Sequence, residues 1–224
     1  VGTVRHLLFA VGVSSFVLAF DAPLAPAGQQ LFAIHQVQHL LMRLLGPMLI
    51  ALAYPWTVLR AGLPTRWRRV LRDWGNRRSV SVLARLLTRL GVSFVLLIAS
   101  LYFWQVPALH NAVLAIPALS LLAHLSMALS GLVFFAVVFD RRDTPQGAIH
   151  SLRILALVGV ILSNILLGAL TTLKTVTLYT GYGIAALRWG LTPLADETIG
   201  GYTIWGPSSM VIIAAIILVF NGWN

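Results

Sequence analysis

The residues best equipped for chemistry are two histidines one helical turn apart in an apolar run, Leu31-Phe-Ala-Ile-His35-Gln-Val-Gln-His39-Leu-Leu-Met42-Arg43. Positions i, i+4 and i+8 of a helix share a face, so His35, His39 and Arg43 predict one polar stripe with Met42 beside it. Ionisable side chains inside an apolar span are expensive and face a bundle interior, a cavity or a site. A further histidine, His124, follows Pro117 in a second apolar run, and Met127 follows it at i+3. At a rise of about 1.5 Å per residue, His39 and His124 each lie roughly 10–12 Å into their helices. If both helices enter from the same side, the two imidazoles meet at one depth. Imidazole with thioether suits copper(I), a soft ion. The metal site this spacing predicts is therefore His35, His39 and His124, with Met42 and Met127 as soft helpers. Two alternatives use the same residues. His39 and His124 are placed to be axial ligands of haem b from two helices, and intramembrane histidines also serve as plain helix-to-helix hydrogen-bonders. His110 falls in a loop at the same end, which allows a ladder of imidazoles from the surface inward.

Composition dictates what must position these groups. Hydrophobic residues make up 58% of the 224 and charged residues 10%, where a soluble domain carries about 25% charge. That predicts one membrane-embedded helical domain over 1–224, all-α, with room for several spans of about 20 residues. The net charge of +10 does not point to nucleic acid, because the arginines cluster between apolar runs as the positive-inside rule requires. The chain has no cysteine, which excludes disulfides, thiolate metal sites and cysteine nucleophiles. No catalytic triad, carboxylate dyad or phosphate loop is visible, so a non-enzymatic role is expected. Leu7 to Phe20 has no small-residue cleavage motif and reads as a short first span, not a leader.

Six spans follow from the hydrophobic pattern: about Val4–Phe20, Gln29–Leu59 with a kink at Gly46-Pro47, Leu83–Trp104, Pro117–Phe139, Gly147–Leu173 and Ile199–Phe220. Asp21 to Gly28 reads as a turn-rich loop. Arg60, Arg66, Arg68, Arg69, Arg72, Arg77, Arg78, Arg85 and Arg89 separate spans two and three, and Arg141, Arg142 and Arg153 separate spans four and five. Both loops, and both termini, are therefore expected to be cytoplasmic. Trp56, Trp104, Trp189 and Trp205 are expected near the interfaces. Within the basic stretch 62–82, Trp67, Val70, Leu71 and Trp74 fall at i, i+3, i+4 and i+7. This predicts a short helix lying on anionic lipids. Asp196 and Glu197 are expected to cap the sixth span, and Ser163 and Asn164 to bridge helices.

Three segments carry a resemblance to a known family. They are His35-Gln-Val-Gln-His39 leading to Gly46-Pro47, Trp104-Gln-Val-Pro-Ala-Leu, and Thr192-Pro-Leu-Ala-Asp196-Glu-Thr-Ile-Gly-Gly201 with Trp205. Together they resemble the CtaG family of bacterial cytochrome c oxidase assembly factors over nearly the whole chain. The resemblance implies a multi-pass protein of the bacterial plasma membrane. It would assist maturation of a respiratory terminal oxidase, hold or pass copper on its outer face, and have oxidase subunits as partners. A permanent accessory subunit without metal is the alternative. This chain departs from the family pattern at Gln105 and Ser120, where histidines are expected, and at Glu197 and Thr198, which replace glutamines.

Overall fold

The computed structural model describes residues 2–21, 24–55, 59, 62–142 and 147–222. All regular structure among them is helical, as composition requires. In chain order the helices are α1 (Thr3–Phe20), α2 (Leu24–Gly28), α3 (Phe32–Leu40), a π-turn (Leu41–Leu45), α4 (Gly46–Ala53), α5 (Thr65–Gly75), α6 (Arg78–Leu87), α7 (Leu90–Gln105), α8 (Pro107–Ala115), α9 (Pro117–Val138), α10 (His150–Leu173) and α11 (Pro193–Asn221). Two 3₁₀ turns, Thr180–Tyr182 and Ala185–Trp189, lie between α10 and α11. Five helical stretches are long and apolar enough to cross a membrane, and a sixth results if α6 and α7 are joined across a 76° bend. Trp56 and Arg60 lie outside the described residues.

Several boundaries differ from the sequence expectation: α4 ends at Ala53, short of Leu59, and α11 starts at Pro193, ahead of Ile199. More than half of the expected loop at 21–28 is the helix α2, Leu24–Gly28. The third span, expected from Leu83, is not one straight helix. That residue belongs to α6, whose Val82, Leu83 and Leu86 are exposed. Arg78, Arg85 and Arg89 recur among these apolar residues, so the segment is amphipathic and has no all-round apolar surface to bury. The apolar run proper starts at Leu90, beyond the extended residue Arg89.

The second span is the structural axis of the bundle. Its upper part, α3, packs on α11, and its lower part, α4, packs on α1 and α9. The irregularity expected at Gly46-Pro47 occurs just ahead of it, where the Gly46 N–H reaches back five residues to the Leu41 carbonyl. Pro47 has no N–H to offer the carbonyl of Arg43, and its ring would press on that carbonyl in a regular helix. A widened turn relieves the clash. Gly131 of α9 is fitted against this spot. A Cβ there would collide with the Arg43 carbonyl and come 2.8 Å from Pro47 Cγ.

The π-turn also divides the predicted stripe. His35 and His39 face α9, while Arg43 extends to α10, where its guanidinium donates to Asn164 Oδ1 at 3.1 Å. Asn164 is thus a helix bridge, as expected. Below Arg43, Leu44, Leu97, Phe134, Phe135, Leu157 and Ile212 form a fully buried apolar core. Above it, the bundle interior is polar.

Candidate metal centre

α3 and α9 bring the three predicted histidines together. Ring centroids are 4.5 Å apart for His35 and His39, 5.8 Å for His35 and His124, and 5.7 Å for His39 and His124. One ligand nitrogen from each falls within 4.8 Å of the others, and no carboxylate joins this group among the described residues. All three side chains are buried. Four of their ring nitrogens have no hydrogen-bond partner: Nε2 of His35, both nitrogens of His39 and Nε2 of His124. Buried polar atoms are almost always satisfied, so three clustered histidines that each keep at least one unsatisfied ring nitrogen mark a place built for something. Met42 packs with Ala19 and Ala128, and Met127 with Trp104, Val113 and Ala123. Both thioethers are buried one turn from His39 and His124.

The remaining imidazole nitrogens are held. His124 Nδ1 lies 2.8 Å from the Ser120 carbonyl one turn earlier. His35 Nδ1 lies 2.7 Å from the Tyr182 hydroxyl, which lies 2.7 Å from His110 Nε2. His110 Nδ1 is in turn 3.2 Å from the Trp104 carbonyl. Sequence spacing did not single out Tyr182 for this role, because it is 147 residues from His35. His110, assigned to a surface loop, is in fact buried in α8 with its ring centroid 4.9 Å from that of His35. Burial holds the His110 imidazole down to about 4, although its bond to Trp104 pulls the other way. Burial, with Asp196 nearby, raises the Tyr182 phenol well above its ordinary value and keeps it protonated.

A lid of polar contacts fixes this end of the bundle. Asp196 does not cap its own helix. That role falls to Thr192, whose hydroxyl accepts from the Ala195 N–H at 3.2 Å. Asp196 reaches across to the first turn of α3 and takes the Phe32 and Ala33 N–H groups at 2.7 and 3.0 Å. Glu197 is likewise buried. It pairs with Lys174 and accepts the Leu178 and Tyr179 N–H groups, so it shapes the loop that delivers Tyr182. Gln105 does not join the histidines but pairs with Gln36, its Nε2 donating to Gln36 Oε1 at 2.5 Å. Trp104 is buried, and its indole donates to Ser126 at 2.8 Å.

The sequence profile of the cytochrome c oxidase caa3 assembly factor family, Caa3_CtaG, matches residues 1–224. The chain belongs to that family. It is also 22% identical over 223 residues to the uncharacterized protein Mb0105 of Mycobacterium bovis and to the uncharacterized protein MT0111 of Mycobacterium tuberculosis. Each match covers 98% of this chain and 34% of the relative, so the chain spans about a third of the length of the curated relatives it matches. No solved structure matches it. The Caa3_CtaG assignment agrees with the apolar helices: this is a multi-pass membrane protein of an oxidase-assembly family. The segments that carry the resemblance lie together at one end of the bundle. His35 and His39 are ligand candidates, Asp196 caps the helix that bears them, and Gln105 braces the residue between them.

Proposed function

We propose that this Caa3_CtaG protein holds a single copper(I) ion as cargo between His35, His39 and His124, near the outer face of the membrane, and passes it to a terminal oxidase during assembly. The observation that carries this is the clustering of three buried histidines within ligand distance of one another, each with a ring nitrogen that has no hydrogen-bond partner. The charge balance favours a monovalent ion. With no carboxylate in the cluster, a bound cation keeps its full charge in a low-dielectric interior. The cost of burying a charge grows as its square, so a divalent ion is penalised about four times as much. Arg43, one turn below His39, adds a positive charge and sharpens that penalty. It also disfavours very tight binding, which suits a carrier. Met42 and Met127 offer soft sulfur one turn from the cluster, as copper(I) prefers. A porphyrin fits the geometry poorly. The His35 ring packs within 6 Å of both His39 and His124, where the macrocycle would have to lie. An assembly role is non-enzymatic, and its partners are oxidase subunits. The site lies at the end opposite the arginine-rich loops, hence outside by the positive-inside rule.

The test is anaerobic titration of the detergent-purified protein with copper(I) against a chromophoric chelator. One equivalent should bind, and His35→Asn, His39→Asn and His124→Asn should each weaken it at least about tenfold, since every lost ligand removes a direct metal bond. In cells, the His35→Asn/His39→Asn pair should leave oxidase assembled but short of copper, with rescue by added copper. Loss of the assembled complex without rescue would instead favour a permanent structural subunit.

A further inference from the structure

The hydrogen bonds around the cluster fix proton positions that the histidines alone leave open. The Trp104 carbonyl can only accept, so His110 Nδ1 must donate to it across 3.2 Å. His110 is buried, and its two ring nitrogens meet only the Trp104 carbonyl and the Tyr182 hydroxyl, with no carboxylate to hold a second proton; in the neutral imidazole the other nitrogen then holds a lone pair. His110 Nε2 therefore accepts the Tyr182 O–H at 2.7 Å. That uses the only proton of the phenol. The Tyr182 oxygen must consequently accept from His35 Nδ1, also at 2.7 Å. Each link forces the next, and the last leaves His35 Nε2 with its lone pair and without a partner. A separate contact does the same for His124, whose Nδ1 donates to the Ser120 carbonyl at 2.8 Å and leaves Nε2 free.

We propose that Tyr182 and His110 are positioning residues. As a relay anchored on the Trp104 carbonyl they lock His35 in its Nδ1–H tautomer and present Nε2 as the ligand atom. The use of that lone pair for copper(I) rests on the function proposed above, whereas the tautomer lock does not. Without the relay, His35 is free to carry its proton on either nitrogen, and one of the two forms has no lone pair at the cluster. Partners of ligating histidines that fix tautomer and ring orientation change metal affinity about 10–100-fold when removed. The relay also explains why the outer loop is built as it is. Glu197 gathers the Leu178 and Tyr179 N–H groups, and Tyr179 donates to the Gln105 carbonyl at 3.0 Å, which seats the 3₁₀ turn ending at Tyr182.

The experiment is ¹⁵N-histidine solid-state NMR of the metal-free protein in lipid, with His35→Asn used to assign the His35 signals. Copper(I) titration of the same samples runs in parallel. The wild-type protein should show His35 protonated at Nδ1. Tyr182→Phe keeps the ring but removes the relay, and should give a tautomer mixture with copper(I) binding weakened about 10–100-fold. His110→Gln restores an acceptor near the Nε2 position and should largely retain the wild-type pattern, while His110→Leu should behave like Tyr182→Phe. A wild-type His35 protonated at Nε2 overturns the proposal. So does a Tyr182→Phe protein with unchanged tautomer and copper(I) affinity within twofold of wild type. If wild type takes up no copper(I), the cargo function falls, and the metal-free spectra still decide the relay.

Discussion

Asp196 caps a helix to which it does not belong. Its two carboxylate oxygens accept the Phe32 and Ala33 N–H groups across 2.7 and 3.0 Å, at the start of the helix carrying His35 and His39. The carboxylate satisfies two of the orphan donors of that helix end and complements its positive dipole. It thereby ties α11 to the ligand helix.

Asp196→Ala should destabilise the protein by about 2 kcal/mol, the range for charge-assisted bonds and buried caps. It should also weaken copper(I) binding, because the register of α3 sets the positions of His35 and His39. Thr192→Ala removes the ordinary cap of α11 and should cost less, about 1 kcal/mol, with copper(I) affinity unchanged. Thermal unfolding in detergent and chelator competition measure both. Equal losses of affinity in the two variants would show that the cross-helix cap does not position the histidines.

The clustering of His35, His39 and His124 was legible because its signal is local. His35 and His39 sit at i, i+4, and the common depth of His39 and His124 follows from helix rise alone. The same helical period exposed the apolar faces of α5. The second layer around the site was not legible. Tyr182 meets His35 across 147 residues, and Asp196 meets Phe32 across 164. No periodicity encodes such pairings, which depend on how the loop between α10 and α11 folds back over α8. Asp196 was misassigned for a related reason: an acid near a helix start predicts a cap, but sequence does not say for which helix. The 76° bend within the third span was not legible, because Val82, Leu83 and Leu86 continue the hydrophobicity on one face across the break.

Arg43 is buried in the bundle and reaches Asn164 of α10 with one bond, while its Nε and Nη1 have no partner. Asn164→Leu should therefore cost about 2–3 kcal/mol, the range for a lost hydrogen bond to a charged group. Asn164→Asp should be tolerated better, because it supplies a counter-charge at the same distance. Unfolding midpoints of the two variants decide it. A leucine variant as stable as wild type would mean that the guanidinium is satisfied elsewhere.

Gly131→Ala tests the close approach of α9 to the π-turn. The added Cβ meets the Arg43 carbonyl and the Pro47 ring, neither of which is a flexible side-chain end. Overpacking of this kind costs about 1–3 kcal/mol. The shift should move His124 relative to His39 and weaken copper(I) binding. Unfolding midpoint and chelator competition on Gly131→Ala read the two effects. Unchanged stability would show that the helices separate there without penalty.

The membrane orientation rests on the arginines, and reporter fusions check it. A fusion after Gly75 should report the cytoplasm and one after Gly190 the opposite side, because the two points are separated by an odd number of crossings and only the first is arginine-rich. The same answer from both would remove the outer-face assignment of the histidine site.

The helices α5 and α6 should lie in the plane of an anionic leaflet. α6 is bent 76° from the apolar helix α7, so it is free to lie flat while α7 inserts. Trp67, Val70, Leu71 and Trp74 on α5, and Val82, Leu83 and Leu86 on α6, are exposed. Arg66, Arg68, Arg69, Arg72, Arg77, Arg78, Arg85 and Arg89 accompany them, with Asp73 as the single acid. A basic residue near an anionic surface contributes about 1 kcal/mol, so the pair should hold to phosphatidylglycerol far more firmly than to phosphatidylcholine. In nanodiscs with brominated acyl chains, tryptophan quenching should be stronger in the anionic lipid. It should decrease with added salt, which screens exposed charges. The difference between lipids should vanish in Trp67→Phe/Trp74→Phe. Quenching independent of lipid charge would mean that apolar burial alone seats the helices. No quenching of Trp67 and Trp74 in either lipid would place them on a protein partner or in water.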